Sequence, residues 1–400
     1  MKIQKIQDLH LDNKTVFLRC DFNVPLDKNG EIVDFKRINS TLKTIEYLLQ
    51  KNCAIIIASH LGRPNGPEKK LSLSSIQKVL RSLIRWPIIL APGITDEITL
   101  SLARDLQPGQ VLMLENLRFD AREKGNCDIF TKHLAEMAEF YINDAFGVCH
   151  REHSSIHKVP ALFPFEKKAG GFLMQKEISY FYDTMNASTG KFVAILWGSK
   201  VSSKLMTIKK LLGKVDTLII WWAMAFSFLK AQGYPTGKSL VENDLIPEAR
   251  AILNAAKRLW KKVVLPIDVV VSDCFSEDGI IKTVPYNEIP QNMIGLDVGK
   301  ESIELFRDTC KWADTIFWNG PMWAYELEPF FTWSAGIARI LAESPALCFV
   351  WWGDSLSVIK KMKVERDIDF LSTWWWASLQ LLEWRTLPWI EQLLHTKKDF

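Results

Sequence analysis

Four hundred residues exceed what one ordinary hydrophobic core organises, so two domains are expected. Apolar content of 48% and charged content of 24% are those of a globular chain, and a net charge of +4 is too weak to point to nucleic acid or a lipid surface. Seven scattered cysteines with no CxxC pair argue against a zinc site or a disulfide framework and for thiols in a reducing compartment. No apolar run follows the amino-terminal residues, and the longest apolar stretch, Leu218 to Leu229, falls short of the ~20 residues of a membrane helix. A cytoplasmic protein with no membrane or nucleic-acid partner is expected.

In chain order, short β-branched runs alternate with amphipathic segments. Strands are predicted at 16–21, 54–59, 87–90, 111–115 and 140–144, with helices at 38–51, 73–83 and 129–138. A second series places strands at 192–196, 217–220, 263–267, 315–318, 347–350 and 369–372, with helices at 204–212 and 246–259. Apolar strands separated by helices imply parallel sheets covered on both faces. Two series imply two doubly wound, Rossmann-like α/β domains. The break falls near Pro160-Ala161-Leu162-Phe163-Pro164, and a helix reaching about residue 184 would join the halves. The expected boundaries are 1–165 for the first domain, 166–185 for the hinge helix, 186–370 for the second domain and 371–400 for a returning segment.

Ligands of open α/β sheets sit at the carboxyl ends of the strands, and there the first half places its unusual polar residues. Asp21 and Asn23 follow the first strand, His60 and Arg63 the second, Arg118 the fourth and Arg151 the fifth, with Arg37 just beyond the first. One arginine is most often a solvated charge; four with a histidine at successive strand ends suit a small, multiply charged anion. Asp21 and Asn23 either cap the turn or accept substrate hydroxyls. His133 and His157 read as surface residues. In the second half, Lys200 and Lys204 follow a strand and open a helix, four residues apart and so on one helical face. Two cations at a helix start are unfavourable by themselves, which suggests a phosphate partner. Asp354, after Gly353 and before Ser355, could hold Mg²⁺ on a nucleotide. The P-loop-like run Gly233-Tyr-Pro-Thr-Gly237-Lys238-Ser239 has three residues between its glycines instead of four and reads as a turn after a helix.

Together these segments resemble phosphoglycerate kinase nearly end to end. The resemblance rests on Arg19-Cys-Asp-Phe-Asn-Val-Pro25, Ser59-His-Leu-Gly-Arg-Pro64, Leu114-Glu-Asn-Leu-Arg-Phe119, Asn143-Asp-Ala-Phe-Gly147, Gly198-Ser-Lys-Val-Ser202 and Phe317-Trp-Asn-Gly-Pro-Met322. It implies phosphoryl transfer from 1,3-bisphosphoglycerate to ADP, giving 3-phosphoglycerate and ATP, with Mg²⁺ and in a monomer. It assigns 3-phosphoglycerate to Asp21, Asn23, Arg37, His60, Arg63, Arg118 and Arg151. It assigns the nucleotide to Lys200, Lys204, Gly295, Glu326, Gly353, Asp354 and Ser355, with the metal on Asp354. Arg37, Lys200 and Lys204 would be catalytic, and domain closure would bring the substrates together.

One feature departs from the family. Trp197, Trp221, Trp222, Trp323, Trp333, Trp351, Trp352, Trp374, Trp375, Trp376, Trp384 and Trp389 stand where the family carries glycine, whereas Trp318 matches the family's own tryptophan. Trp86, Trp260 and Trp312 have no firm counterpart. Substitution of one residue type by one other is not random decay. It is the pattern expected when UGA codons that the source organism reads as glycine are translated as tryptophan. Returning the twelve to glycine raises its share from ~5% to ~8%, against the usual ~7%. A chain made with these tryptophans is expected to bind ADP poorly. The second reading is a catalytically dead, kinase-derived binding or scaffold protein with a blocked nucleotide site. A dehydrogenase is disfavoured, since no GxGxxG follows an early strand.

Overall fold

The computed structural model describes residues 3–186, 190–198, 201–202, 204–221, 223–276, 279–320, 328–351, 353–372 and 389–390. These fall into two compact units, one running to Ser179 and including Trp389 and Ile390, the other starting at Tyr180.

The first unit is built on six parallel strands: β1 (Thr15–Cys20), β2 (Ala54–Ala58), β3 (Ile88–Leu90), β4 (Val111–Met113), β5 (Phe140–Asp144) and β6 (Lys168–Gly170). Their order is β3-β4-β2-β1-β5-β6. Every residue of β2 is buried, as a strand covered on both faces requires. Helix α1 (Lys36–Gln50) turns Ile38, Thr41, Ile45 and Leu48 inward at helical spacing, which seats it on the sheet. From β1 the chain builds outward on one side through β2, then returns to build on the other through β5. The order therefore reverses between β1 and β5, where an open sheet leaves a crevice.

The second unit repeats the plan. Strands β7 (Phe192–Trp197), β8 (Thr217–Trp221) and β9 (Lys262–Val264) lie to one side, and β13 (Thr315–Asn319), β14 (Leu347–Trp351) and β15 (Phe370–Ser372) to the other. The parallel order β15-β14-β13-β7-β8-β9 puts the reversal between β7 and β13. A separate antiparallel sheet, order β11-β10-β12, joins β10 (Asp268–Ser272), β11 (Lys282–Pro285) and β12 (Ile294–Val298). The sequence reading merged β9 and the approach to β10 into one strand at 263–267. Pro266 lies between them and cannot donate to a ladder, so β9 stops at Val264 and pairing resumes at Asp268 with a new partner.

Helix α2 (Phe172–Asn186) contains the division between the units. Helices α3 (Leu205–Leu211), α4 (Ala223–Ala231), α5 (Ile246–Arg258) and α6 (Gly353–Met362) belong to the second unit. The fold class read from the sequence, two doubly wound parallel-sheet units, is the one observed.

Candidate functional site

The loops after β1, β2, β4 and β5 knit into one basic cluster. Asp21 is 2% exposed and accepts from the Asn23 N–H at 3.1 Å and from Arg37 Nη1 at 3.3 and 3.4 Å. It thus caps the turn and orients an arginine at once. Asn23 Oδ1 accepts from the Gly62 N–H at 2.8 Å, and Arg118 Nη1 donates to the Gly62 carbonyl at 2.6 Å. Gly62 holds φ +66, a conformation that only glycine adopts without cost, so the loop carrying His60 is clamped from both sides at a residue that tolerates it. His60, 2% exposed, has Nε2 3.9 Å from Asp21 Oδ1. Arg63 lies exposed one residue beyond Gly62.

The electrostatics of the cluster suit an anion. Burial, then Arg19 and Arg151, push the Arg118 guanidinium down to about 10. Burial and the neighbouring Arg151 push His150 down to about 4; burial, then Arg118, Arg19 and Arg151, push His153 to about 3. Arg118 and Arg151 are therefore in one field with Arg19 and Asp21. The Nε atoms of Arg118 and Arg151 are buried with no partner among the described residues, which suits donation to a ligand. Residues the sequence reading missed are Arg19, Glu123, His150, His153 and Ser155. A cation inside an apolar strand was the available signal for Arg19; nothing local marks Glu123 and Ser155, which meet across 32 residues. His133 and His157, read from the sequence as surface residues, are half-buried.

In the second unit, Lys204 sits at the reversal point between β7 and β13. It is 3% exposed, and its Nζ donates to Asn319 Oδ1 at the end of β13. Asn319 Nδ2 has no partner among the described residues. The sequence placed Lys200 and Lys204 on one helical face; instead α3 begins at Leu205, and Lys204 is the residue before it, with φ −119. Lys204 is thus the N-cap of α3, before its first turn. Lys200 and Glu326 lie outside the described residues, as does the side chain of Asp354. Gly353 and Asp354 begin α6, and the Ser355 hydroxyl in that first turn is buried with no partner among the described residues. Gly295 lies on β12, where its N–H donates to Ser239 Oγ at 2.8 Å and a Cβ would stand 2.1 Å from the Phe226 ring. The P-loop-like run is indeed a turn following α4: Gly237 has φ +54, and the Lys238 N–H donates to the Met293 carbonyl. Its role is to brace β12.

Trp197, Trp221 and Trp351 end β7, β8 and β14, with Trp197 paired to Trp221 and Trp351 to Asn319. All three are buried. Gly320, at φ +118, lies so close to Trp197 that a Cβ there would be 2.9 Å from the indole. The indoles of Trp197 and Trp221 are packed into the core of the second unit, Trp221 edge-on to Phe306, and Trp351 packs edge-on to Phe317. A cavity of about 500 Å³ in the first unit, lined by Glu68, Asp96, Glu115, Asp120 and Arg122, holds none of the sequence-predicted residues. Three of its four carboxylates are engaged internally: Asp96 caps a helix, Asp120 pairs with Arg122, and Glu115 accepts from Ser72 and Leu73.

The family profile named phosphoglycerate kinase matches residues 6–385. The chain belongs to the phosphoglycerate kinase family. A phosphoglycerate kinase of Aliarcobacter butzleri is 44% identical over 400 residues, covering 100% of both chains. One from a Nitratiruptor species is 46% identical over 394 residues, covering 98% of this chain and 99% of its own. Among solved structures, the phosphoglycerate kinase of Coxiella burnetii superposes with a TM-score of 0.89 at 32% identity, covering 98% of this chain and 99% of its own. That of Pyrococcus horikoshii OT3 gives 0.78 at 26% identity, covering 98% of each. The family is a kinase and transferase family of glycolysis, and full-length likeness to its members does not favour the scaffold reading. Among the described residues no helix is long and apolar enough to cross a membrane, and no group of three or more His, Cys, Asp or Glu side chains could hold a metal by itself.

Proposed function

We infer that this chain catalyses its family's reaction, reversible phosphoryl transfer between 1,3-bisphosphoglycerate and ADP, as a cytoplasmic monomer. The observation that carries the substrate side is the cluster at β1, β2, β4 and β5, in which burial and the neighbouring arginines disfavour the charged forms of Arg118, His150 and His153, and buried donors stay without a partner among the described residues. A carboxylate and a phosphate on a three-carbon frame relieve that strain. Asp21 and Asn23 orient the loops, His60 and Arg37 meet the substrate, and Arg63, Arg118 and Arg151 hold its phosphate end.

The nucleotide belongs to the second unit. Lys204 neutralises charge on the transferring group, and Gly295, Gly353 and Ser355 with Lys200 and Glu326 form the remaining contacts. Asp354 at the start of α6 would offer a carboxylate to magnesium held on the nucleotide, and the Ser355 hydroxyl, which has no partner among the described residues, suits an oxygen-rich ligand. The ion supplies neutralisation of phosphate charge, whereas this chain's residues align donor and acceptor. Ligands held on separate units react only when the units close and exclude water.

The twelve family-glycine positions are proposed to be UGA codons read as glycine in the source organism. The gene decides this: UGA at all twelve and UGG at Trp318 support it, and UGG throughout refutes it. The substrate assignment is tested by titrating 3-phosphoglycerate calorimetrically into the parent chain and Arg118→Ala. A loss of tenfold or more in affinity supports it; equal affinity contradicts it.

A further inference from the structure

Arg19 is a cation on a strand whose other residues are apolar or small, and its side chain is 1% exposed. Its Nε donates to Ser155 Oγ at 2.9 Å and its Nη1 to the Cys20 carbonyl, while Nη2 lies 3.3 Å from His60 Nδ1. Ser155 is itself held: its hydroxyl donates to Glu123 Oε1 at 2.6 Å and its N–H to Glu123 Oε2 at 3.0 Å. The one hydroxyl proton of Ser155 is used on Glu123, so its oxygen accepts from Arg19. The direction of donation is then fixed along the whole chain. A guanidinium only donates, so His60 Nδ1 must accept, and a neutral imidazole that accepts at Nδ1 carries its proton on Nε2. Nε2 is the nitrogen that faces Asp21, the partner of Arg37.

We propose that Arg19 is a positioning residue, braced by Ser155 and Glu123, that fixes His60 as the neutral Nε2–H tautomer so that the ring meets an acid substrate as a hydrogen-bond donor. This rests on reading the basic cluster as the 3-phosphoglycerate site. The groups facing the ring agree with a neutral imidazole. Burial, then Arg118, Arg19, Arg37 and His153, hold His60 well below its ordinary value, and Asp21, the nearby carboxylate, is already engaged by Arg37. A cationic His60 would lose the Arg19 contact and add a charge to an already crowded field. The Nδ1–H tautomer would set two donors against each other.

The test is long-range ¹H–¹⁵N correlation of ¹⁵N-histidine-labelled, ligand-free protein from about pH 5.5 to 8, with His60 assigned by loss of its signals in His60→Gln. One neutral Nε2–H form throughout is expected. A neutral Nδ1–H form, an average of two tautomers, or protonation within that range overturns the proposal. Arg19→Met is expected to introduce the second tautomer and raise KM for 3-phosphoglycerate about tenfold with KM for MgATP unchanged. Arg19→Lys, which keeps a donor, restores the Nε2–H signal and most of the affinity. Equal changes in both KM values with the tautomer unmoved make Arg19 structural only and overturn the proposal. Where Arg19→Met does not fold, the parent spectrum and Arg19→Lys decide. The ligand-free spectrum reads the tautomer whatever binds, so an Nε2–H ring undisturbed by added 3-phosphoglycerate would remove the substrate assignment and leave the tautomer assignment standing.

Discussion

Trp260 shows how a single residue can be at odds with its backbone. It follows α5 with φ +56, its N–H donates to the Lys257 carbonyl, and the Lys261 N–H donates to Ala256. Those two bonds make a Schellman motif with Trp260 at the left-handed position, where glycine is favoured. The side chain is 95% exposed, so little burial offsets the strain. Trp260→Gly is expected to stabilise the chain by about 1 kcal/mol, read from the urea midpoint; an unchanged or lower midpoint contradicts this. Titration gives a second residue-scale test. His150 and His153 are pushed to about 4 and about 3, so the unfolded chain binds protons near pH 6.5 that the folded chain refuses. Stability therefore falls as pH drops from about 6.5 toward those values. Asp144, raised to about 7 by burial, acts oppositely, losing stability as pH rises from about 4 to 7. His153→Gln is expected to flatten the acid-side fall in Tm between pH 6.5 and 4; an unaltered slope would show that the histidine is not kept neutral.

Element positions were legible because parallel strands buried on both faces read as continuous apolar runs: Phe140–Asp144 was placed to the residue, and β2, β7 and β14 within one at each end. The antiparallel sheet of β10, β11 and β12 was not read from the sequence: the mostly exposed Lys282–Pro285 carries no apolar run, and the buried run of β10 follows Pro266 too closely to stand apart from the strand predicted at 263–267. The basic residues were legible because strand ends concentrate ligand contacts. The buried Arg19–Ser155–Glu123 bracing was not, because it joins residues distant in sequence. The brace beneath β12 is testable in the same way. A Cβ at Gly237 would stand 2.4 Å from two carbonyl oxygens, at φ +54. Gly237→Ala is expected to cost about 1–3 kcal/mol and, by shifting Gly295, to weaken ADP more than 3-phosphoglycerate; calorimetry with both ligands checks it. Equal weakening of both ligands, or of neither, would detach this turn from the nucleotide.

At the scale of the whole molecule, two sheets each reverse order once, and each reversal carries its own cations: Arg37 and the Arg118 cluster in one unit, Lys204 in the other. That duplication suits two anionic ligands that must exchange a phosphoryl group. Lys204→Ala is expected to lower kcat by about 10²–10³, as loss of one pre-placed charge does, with KM for 3-phosphoglycerate little changed. A fall in substrate affinity without a fall in kcat would place Lys204 outside the transfer step. The second unit also carries the tryptophan-lined strand ends, which set the sharpest difference between the chain as tryptophan and as glycine. The most direct measurement is ATP formation from 1,3-bisphosphoglycerate and MgADP by two proteins, one with tryptophan and one with glycine at the twelve family-glycine positions. The glycine form is expected to turn over readily and the tryptophan form at least about 100-fold more slowly. A folded glycine form that binds both substrates and makes no ATP would contradict the assignment of phosphoryl transfer to this chain.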